Sequence, residues 1–174
     1  MDIAGFGLAS GKRGLTVASL IASRILDLYQ VRTSLDALAA RLAALRVAAG
    51  SASVPQRRHL EDALEHGGSL KPDRSASAFI QADVDFHTTI YRLCGNSAIE
   101  ETVAAQLPHL KRSMGVALDN SDERLLVWQE HETITRFILA GDAERAESAA
   151  HDHASRARTE TATRLAELTD TEVN

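Results

Sequence analysis

The sequence is poor in cysteine, proline and aromatic residues: its 174 residues include one cysteine and three prolines, and 4% are aromatic. Because Cys94 is alone, the chain has no disulfide framework and no cysteine-rich zinc site, and a reducing compartment is expected. No apolar run approaches the ~18–20 residues that a membrane span requires. Residues 1–13 lack the basic and apolar segments of a signal peptide. We therefore predict a cytoplasmic protein with no membrane partner.

Positive charge is also scarce, since 19 lysines and arginines stand against 24 aspartates and glutamates, for a net charge of −5. Nucleic-acid binding requires a basic face, and we therefore expect that this chain by itself does not bind DNA specifically. Few prolines and glycines together with abundant alanine favour helix. The length suits one domain. These features predict a soluble all-α domain.

The spacing of the apolar residues predicts an antiparallel bundle of about six helices. Six apolar residues from Leu28 to Leu45 follow one another at alternating spacings of three and four, which predicts a continuous stripe toward the core on the first helix. Ser97 is predicted to cap the fourth helix and Pro108 to kink it. A short strand is predicted at residues 15–17. The predicted helices span about 18–50, 55–66, 75–93, 97–118, 121–139 and 143–168.

Two polar residues lie on the apolar face of the predicted third helix. Asp83 and His87 follow Phe79 by four and eight residues, so that they point in the same direction as the apolar side chains. A carboxylate in a core is costly unless it is paired or binds a metal. An aspartate and a histidine one turn apart are close enough to share one ion. The alternative interpretation is an Asp–His hydrogen bond on a less buried face.

His131 on the predicted fifth helix and His153 on the sixth also face inward. Each histidine by itself fits a core or boundary residue. Three inward histidines with one aspartate are a donor set for a divalent first-row transition metal rather than Ca²⁺, with zinc expected first and nickel, manganese or iron as alternatives. The sequence has no zinc-protease, di-iron, phosphate-loop or Gly-x-Ser-x-Gly motif. Nothing in it therefore demands catalysis.

Three blocks of the sequence, in this order, resemble the FCD domain, the effector-binding domain of GntR-type transcription regulators of the FadR subgroup. The first has a tyrosine, a Val-Arg pair and a Leu-Asp pair followed by alanines. The second has an aspartate three residues before Phe-His and then Gly-Asn, and the third has two histidines 22 residues apart with Gly-Asp between them. The blocks are Leu28–Ala44, Asp83–Asn96 and Glu130–His153. The resemblance covers about residues 25–160.

The resemblance implies a helical bundle that binds one metal ion and a small organic acid in an interior cavity and forms a homodimer. The metal ligands implied at matching positions are Asp83, His87, His131 and His153. Arg32 matches the arginine that contacts the bound carboxylate, and it lies beside the inward stripe, four residues after Leu28. The alternative for Arg32 is an i,i+4 ion pair with Asp36 on the surface.

The resemblance also divides the chain into three parts. Residues 1–18 resemble the wing of a winged helix-turn-helix module with its linker, 19–168 are the FCD-like ligand-binding and dimerisation domain, and 169–174 are a polar tail. The chain is then a piece of a longer regulator, a truncated product or a stand-alone effector domain, and DNA contact is expected only through a module largely absent from it. The alternative function is a stand-alone metal-dependent enzyme that uses the same Asp/His₃ site.

Overall fold

The computed structural model describes residues 12–71, 73–117 and 121–171. This part of the chain contains seven α-helices and no strand, which confirms the all-α class. The helices are α1 Lys12–Ala48, α2 Val54–Gly68, α3 Ala76–Cys94, α4 Ser97–Ala104, α5 Leu107–Ala117, α6 Ser121–Leu139 and α7 Ala143–Thr171. Within the described ranges, none of them is both long enough and apolar enough to cross a bilayer.

Polar side chains and a glycine set the ends of α2 and α3. Ser53 and Gln56 form a capping box at the start of α2, in which each side chain accepts a hydrogen bond from the backbone N–H of the other residue. Ser75 Oγ accepts from the Ala78 amide at the start of α3. Gly95 ends α3 with φ 74°, in the left-handed region that a residue without Cβ adopts most easily.

Two expectations for the region after α3 are wrong. The cap is Asn96 rather than Ser97, because Asn96 Oδ1 accepts from the Ala98 amide at 3.2 Å and Ser97 is already helical. The chain also forms two helices, α4 and α5, instead of one kinked helix. Pro108 lies in the first turn of α5, where its missing N–H leaves no helical hydrogen bond unmade. The described bundle therefore has seven helices rather than six.

The expected strand at residues 15–17 is also wrong, because these residues belong to α1. The described part of the chain offers no strand with which they could pair, whereas a helix satisfies backbone N–H and C=O groups within the segment itself. Residues 1–11 and 172–174 lie outside the described residues. The assignment of residues 1–18 to a wing and linker therefore stays a prediction.

The two longest helices, α1 and α7, pack along each other and both contribute faces of alanine. Ala39 and Ala43 of α1 and Ala146 of α7 have no exposed surface. Because the distance between packed helices depends on the side chains at the contact, alanines allow the two backbones to approach closely. The alanine face of α7 is thus part of the core.

The apolar stripe of α1 faces the core only in part. Leu28 is buried, whereas Val31, Leu38 and Leu45 are 45%, 39% and 44% exposed. The expectation that the whole stripe is buried is therefore wrong. The inward side of α1 is instead the alanine face, which packs with α7.

The third helix, α3, packs against α1, α2, α4 and α5. Its Phe86 has no exposed surface and meets the ring of Trp128 on α6 edge-on, with ring centroids 6.1 Å apart. Side chains on this face of α3 therefore point into the interior of the bundle.

Candidate metal centre

Four buried side chains from three helices converge in the interior of the bundle. The third helix contributes Asp83 and His87, α6 contributes His131, and α7 contributes His153. Each residue is at most 5% exposed, and one ligand atom from each lies within 4.8 Å of those from the others. This Asp/His₃ cluster could hold a metal ion. Its members are the four residues that the sequence places on inward helix faces.

The donor atoms of the cluster face one another. Nε2 of His131 lies 3.3 Å from Nε2 of His153 and 3.5 Å from Oδ1 of Asp83. Nε2 of His87 lies 3.9 Å from the same carboxylate oxygen. Buried polar atoms are nearly always hydrogen-bonded, yet His87 Nε2 and Asp83 Oδ2 have no hydrogen-bond partner among the described residues. Imidazole nitrogens and a carboxylate oxygen that share one small space suit a divalent transition metal, and the residues therefore fit such an ion.

Burial sets the protonation of the cluster. It lowers the pKa of His87 and His131 well below the usual value for histidine, and positive charge from Arg32 lowers both further. Neutral imidazole is the form that binds a metal. Burial also raises the pKa of Asp83, although Arg32 opposes that rise. A divalent cation beside Asp83 would favour the ionised carboxylate.

A carboxylate holds the outer nitrogen of His153. Oε2 of Glu130 lies 2.7 Å from His153 Nδ1, and Arg156 binds both oxygens of Glu130, with Nε 2.5 Å from Oε1 and Nη2 2.7 Å from Oε2. Burial raises the pKa of Glu130, but the hydrogen bonds from His153 and Arg156 outweigh burial and bring the pKa below its usual value. An ionised Glu130 only accepts hydrogen bonds. His153 therefore donates from Nδ1 to Glu130, and its Nε2 faces the cluster.

Beside the cluster, Arg32 of α1 belongs to a buried network. Its Nε donates to Oδ2 of Asp36 at 3.1 Å, and its Nη2 lies 3.8 Å from Oδ2 of Asp83. Tyr91 of α3 donates its hydroxyl to Oδ1 of Asp36 at 2.5 Å. Burial lowers the pKa of Arg32, but the neighbouring acids, with Asp36 foremost, raise it more, and the guanidinium stays charged. The pair with Asp36 thus exists, but it is buried rather than on the surface.

The sequence matches a known protein family. The model of the FCD domain matches residues 27–156, most of the chain, and that range contains Arg32 and all four members of the cluster. This chain belongs to the FCD domain family. No curated protein matches it.

A small cavity adjoins the cluster of this FCD domain. Its volume is about 10 Å³, which is room for about one water molecule. Helices α1 and α3 line it with charged and polar side chains, among them Arg32, Asp83 and His87, whereas α4 and α5 contribute only apolar ones. The apolar lining residues of α4 and α5 are Val103, Leu107, Leu110 and Met114.

The outer contacts of the FCD domain were not predicted from its sequence. Tyr91 lies four residues after His87 on the same helix, so helical spacing could have indicated it. For Glu130 no such local signal exists, because Glu130 lies on α6, whereas its partners His153 and Arg156 lie on α7. Their place in the site depends on the packing of α6 against α7.

Proposed function

We propose that this chain is the effector-sensing and dimerisation domain of a GntR-type transcription regulator of the FadR subgroup. Its Asp/His₃ cluster binds a divalent transition metal, with zinc as the first candidate, and a small carboxylate binds beside the metal at Arg32. Binding changes the relative placement of the DNA-binding modules attached to a homodimer. Those winged helix-turn-helix modules contact DNA, and neither they nor this domain catalyses a reaction.

The observation that carries the proposal is that buried donor atoms are turned toward one space. The ligand atoms of Asp83, His87, His131 and His153 lie within 4.8 Å of one another, and three of these side chains hold buried atoms without a hydrogen-bond partner among the described residues. Such atoms are costly in a core that serves packing alone. The hydrogen bond from His153 to Glu130 adds support, because metal-binding histidines commonly donate their other N–H to a carboxylate. When bound, the metal supplies a Lewis acid toward oxygen donors.

The position of Arg32 supports a carboxylate as effector. Its guanidinium lines the cavity next to Asp83 and His87. The hydrogen bond to Asp36 uses the Nε–H group, and the Nη groups can donate charge-assisted hydrogen bonds to a carboxylate. The carboxylate accepts from them with one oxygen and offers the other oxygen to the metal.

The exposed stripe of α1 supports a homodimer. Val31, Leu38 and Leu45 lie at intervals of seven residues and are each at least 39% exposed, while Leu35 and Leu42 beside them are partly buried. Apolar residues at alternating spacings of three and four allow two helices to pack as a coiled coil. In a dimer with a two-fold axis, this stripe packs against the same stripe of the second copy. A regulator that addresses two half-sites needs such a two-fold arrangement.

The contacts around the cluster favour sensing over catalysis. A metal-dependent hydrolytic enzyme needs a general base beside the metal. The carboxylates nearest the cluster, apart from Asp83, are Asp36 and Glu130. Asp36 is held by Arg32 and Tyr91, and Glu130 by His153 and Arg156. Both are committed to positioning other side chains.

Metal titration of chelator-treated protein tests the first part of the proposal. Trp128 is the only tryptophan, and its ring centroid lies 4.7 Å from that of His131, so that its fluorescence reports on the cluster. We expect stoichiometric binding of Zn²⁺ or Ni²⁺, its loss in His131→Gln, and no change in the exposed control His109→Gln. Equal binding by both variants would contradict the metal site.

A panel of small acids tests the second part. For the metal-loaded protein, an effector at a hundredfold excess over its Kd raises the free energy of unfolding by about 2.7 kcal/mol. Thermal shift measurements with and without a chelator show whether the gain depends on metal. If no acid shifts the melting temperature of protein that holds metal, the effector part of the proposal is wrong.

A further inference from the structure

We infer that the effector is a monocarboxylate with a short hydrocarbon body, and that dicarboxylates and tricarboxylates are poor ligands. This inference rests on the proposed function, because it concerns the acid bound beside the Asp/His₃ cluster. Two features of the adjoining cavity carry it: the balance of charges at its polar end and the apolar wall that α4 and α5 contribute.

The charges around the cavity are balanced by one added negative charge. Among the described residues that line it, Arg32 is the only lysine or arginine, and its charge is balanced by the buried Asp36. A divalent cation in the cluster would bring two positive charges, and imidazoles are neutral as metal ligands. The carboxylate of Asp83 cancels one of these charges and leaves a net charge of +1. One effector carboxylate neutralises that charge. A second carboxylate would leave an uncompensated negative charge in a buried site, which is strongly unfavourable.

The wall from α4 and α5 has no side chain that can pair with a polar group. Val103, Leu110 and Met114 are at most 5% exposed, and Leu107 is partly buried against the core. An acid that binds at the cluster from this cavity places the rest of its body against these side chains. Hydrocarbon gains free energy there by leaving water. A hydroxyl or a second carboxylate that points at this wall would lose its hydration without finding a partner there.

The size of the cavity limits the hydrocarbon body. Its volume is about 10 Å³, so that an effector bound in this cavity must displace side chains of the wall. Met114 is unbranched and adapts to a new shape more readily than leucine or valine. The break at residues 105–106 also divides the wall between two short helices. Longer chains require larger displacements, and short ones are therefore favoured.

Three compounds of equal carbon number provide a matched test by calorimetry on metal-loaded protein. Butyrate has one carboxylate, succinate has two, and butyramide has the body of butyrate without its charge. We expect a Kd for butyrate at least about tenfold lower than for succinate, and no measurable binding of butyramide. Succinate that binds as tightly as butyrate would overturn this inference and leave the proposed effector function intact. If no acid binds to metal-loaded protein, both are overturned.

A substitution in the wall provides the second test. Met114→Lys adds a cation where the second carboxylate of succinate would lie, and we expect the preference for butyrate over succinate to fall by about tenfold or more. Leu107→Lys at a less buried position of the same wall is the second variant in case Met114→Lys does not fold. Leu125→Lys, at a site 63% exposed on α6, adds the same charge away from the cavity. An unchanged preference in a folded wall variant would overturn the placement of the hydrocarbon body.

Discussion

Nδ1 of His153 lies 2.7 Å from Oε2 of Glu130, and this contact joins the buried cluster to ion pairs nearer the surface of the bundle. The Glu130 side chain is 23% exposed and also accepts hydrogen bonds from Arg156, which pairs in turn with Glu123. Helices α6 and α7 therefore set the tautomer and orientation of one proposed metal ligand through charged groups that never touch the metal site themselves.

Glu130→Gln should weaken metal binding by about 10–100-fold. The amide oxygen can still accept from His153, but the negative charge that makes the imidazole a stronger donor is lost. Competition with a chromogenic chelator measures the change in Kd. Glu132→Gln is the matched control, because Glu132 is exposed on the same helix. Equal metal affinity of the two variants would show that Glu130 does not position the ligand.

Arg32→Met should destabilise the metal-free protein by about 3–5 kcal/mol, because it leaves the buried carboxylate of Asp36 without its cation. The double variant Arg32→Met/Asp36→Asn should cost less than the single one, since the amide still accepts from Tyr91 and carries no charge. Urea unfolding measures both values. Arg41→Met provides the control, because Arg41 pairs with Glu147 where both side chains are more than 40% exposed, and should cost at most about 1 kcal/mol. Similar losses at Arg32 and Arg41 would contradict a buried pair.

The metal-free protein should lose stability as the pH falls from about 6 to about 5. Burial holds the pKa of His87 and His131 below the value of about 6.5 in the unfolded chain, so unfolding takes up protons at both. Burial raises the pKa of Asp83, so that Asp83 releases at most one proton on unfolding. This release offsets part of the proton uptake by the two histidines. The free energy of unfolding should therefore fall by about 1 kcal/mol over this pH unit, and the histidine contribution is fully present above about pH 7.5.

Urea denaturation at several pH values checks this slope. The exposed His59 provides the control, because His59→Gln should leave the profile unchanged. A flat profile between about pH 6 and 5 would mean that the two histidines are protonated in the folded protein or reachable by water.

Leu38→Glu should shift the protein toward monomer, because it places two carboxylates against each other at the centre of the proposed two-fold contact. Analytical ultracentrifugation at micromolar concentration measures the change in mass. Leu125→Glu introduces the same charge at an exposed apolar site on α6 and should leave the mass unchanged. A wild-type protein that sediments as a monomer would contradict the homodimer.

Helical periodicity is a local property of the sequence, and the correct predictions about the helices and their inward faces depend on it. The all-α class follows from it, and so does the inward direction of Asp83 and His87, which lie one turn apart on one helix. It also predicts that His131 and His153 face inward on their own helices. It says nothing about distances between helices, and the 3.3 Å between the Nε2 atoms of His131 and His153 depends on how α6 packs on α7.

The exposure of two neighbouring residues on α1 shows where local reasoning ends. Leu38 is 39% exposed and Ala39 has no exposed surface, although hydrophobicity alone predicts the reverse. The sequence by itself determined the all-α class and the inward direction of the four side chains of the Asp/His₃ cluster. Only the tertiary structure decided which face of α1 is covered and which carboxylate holds His153. Close approach of α7 favours small alanines over larger leucines, and that choice depends on the shape of a partner helix more than a hundred residues away in the chain.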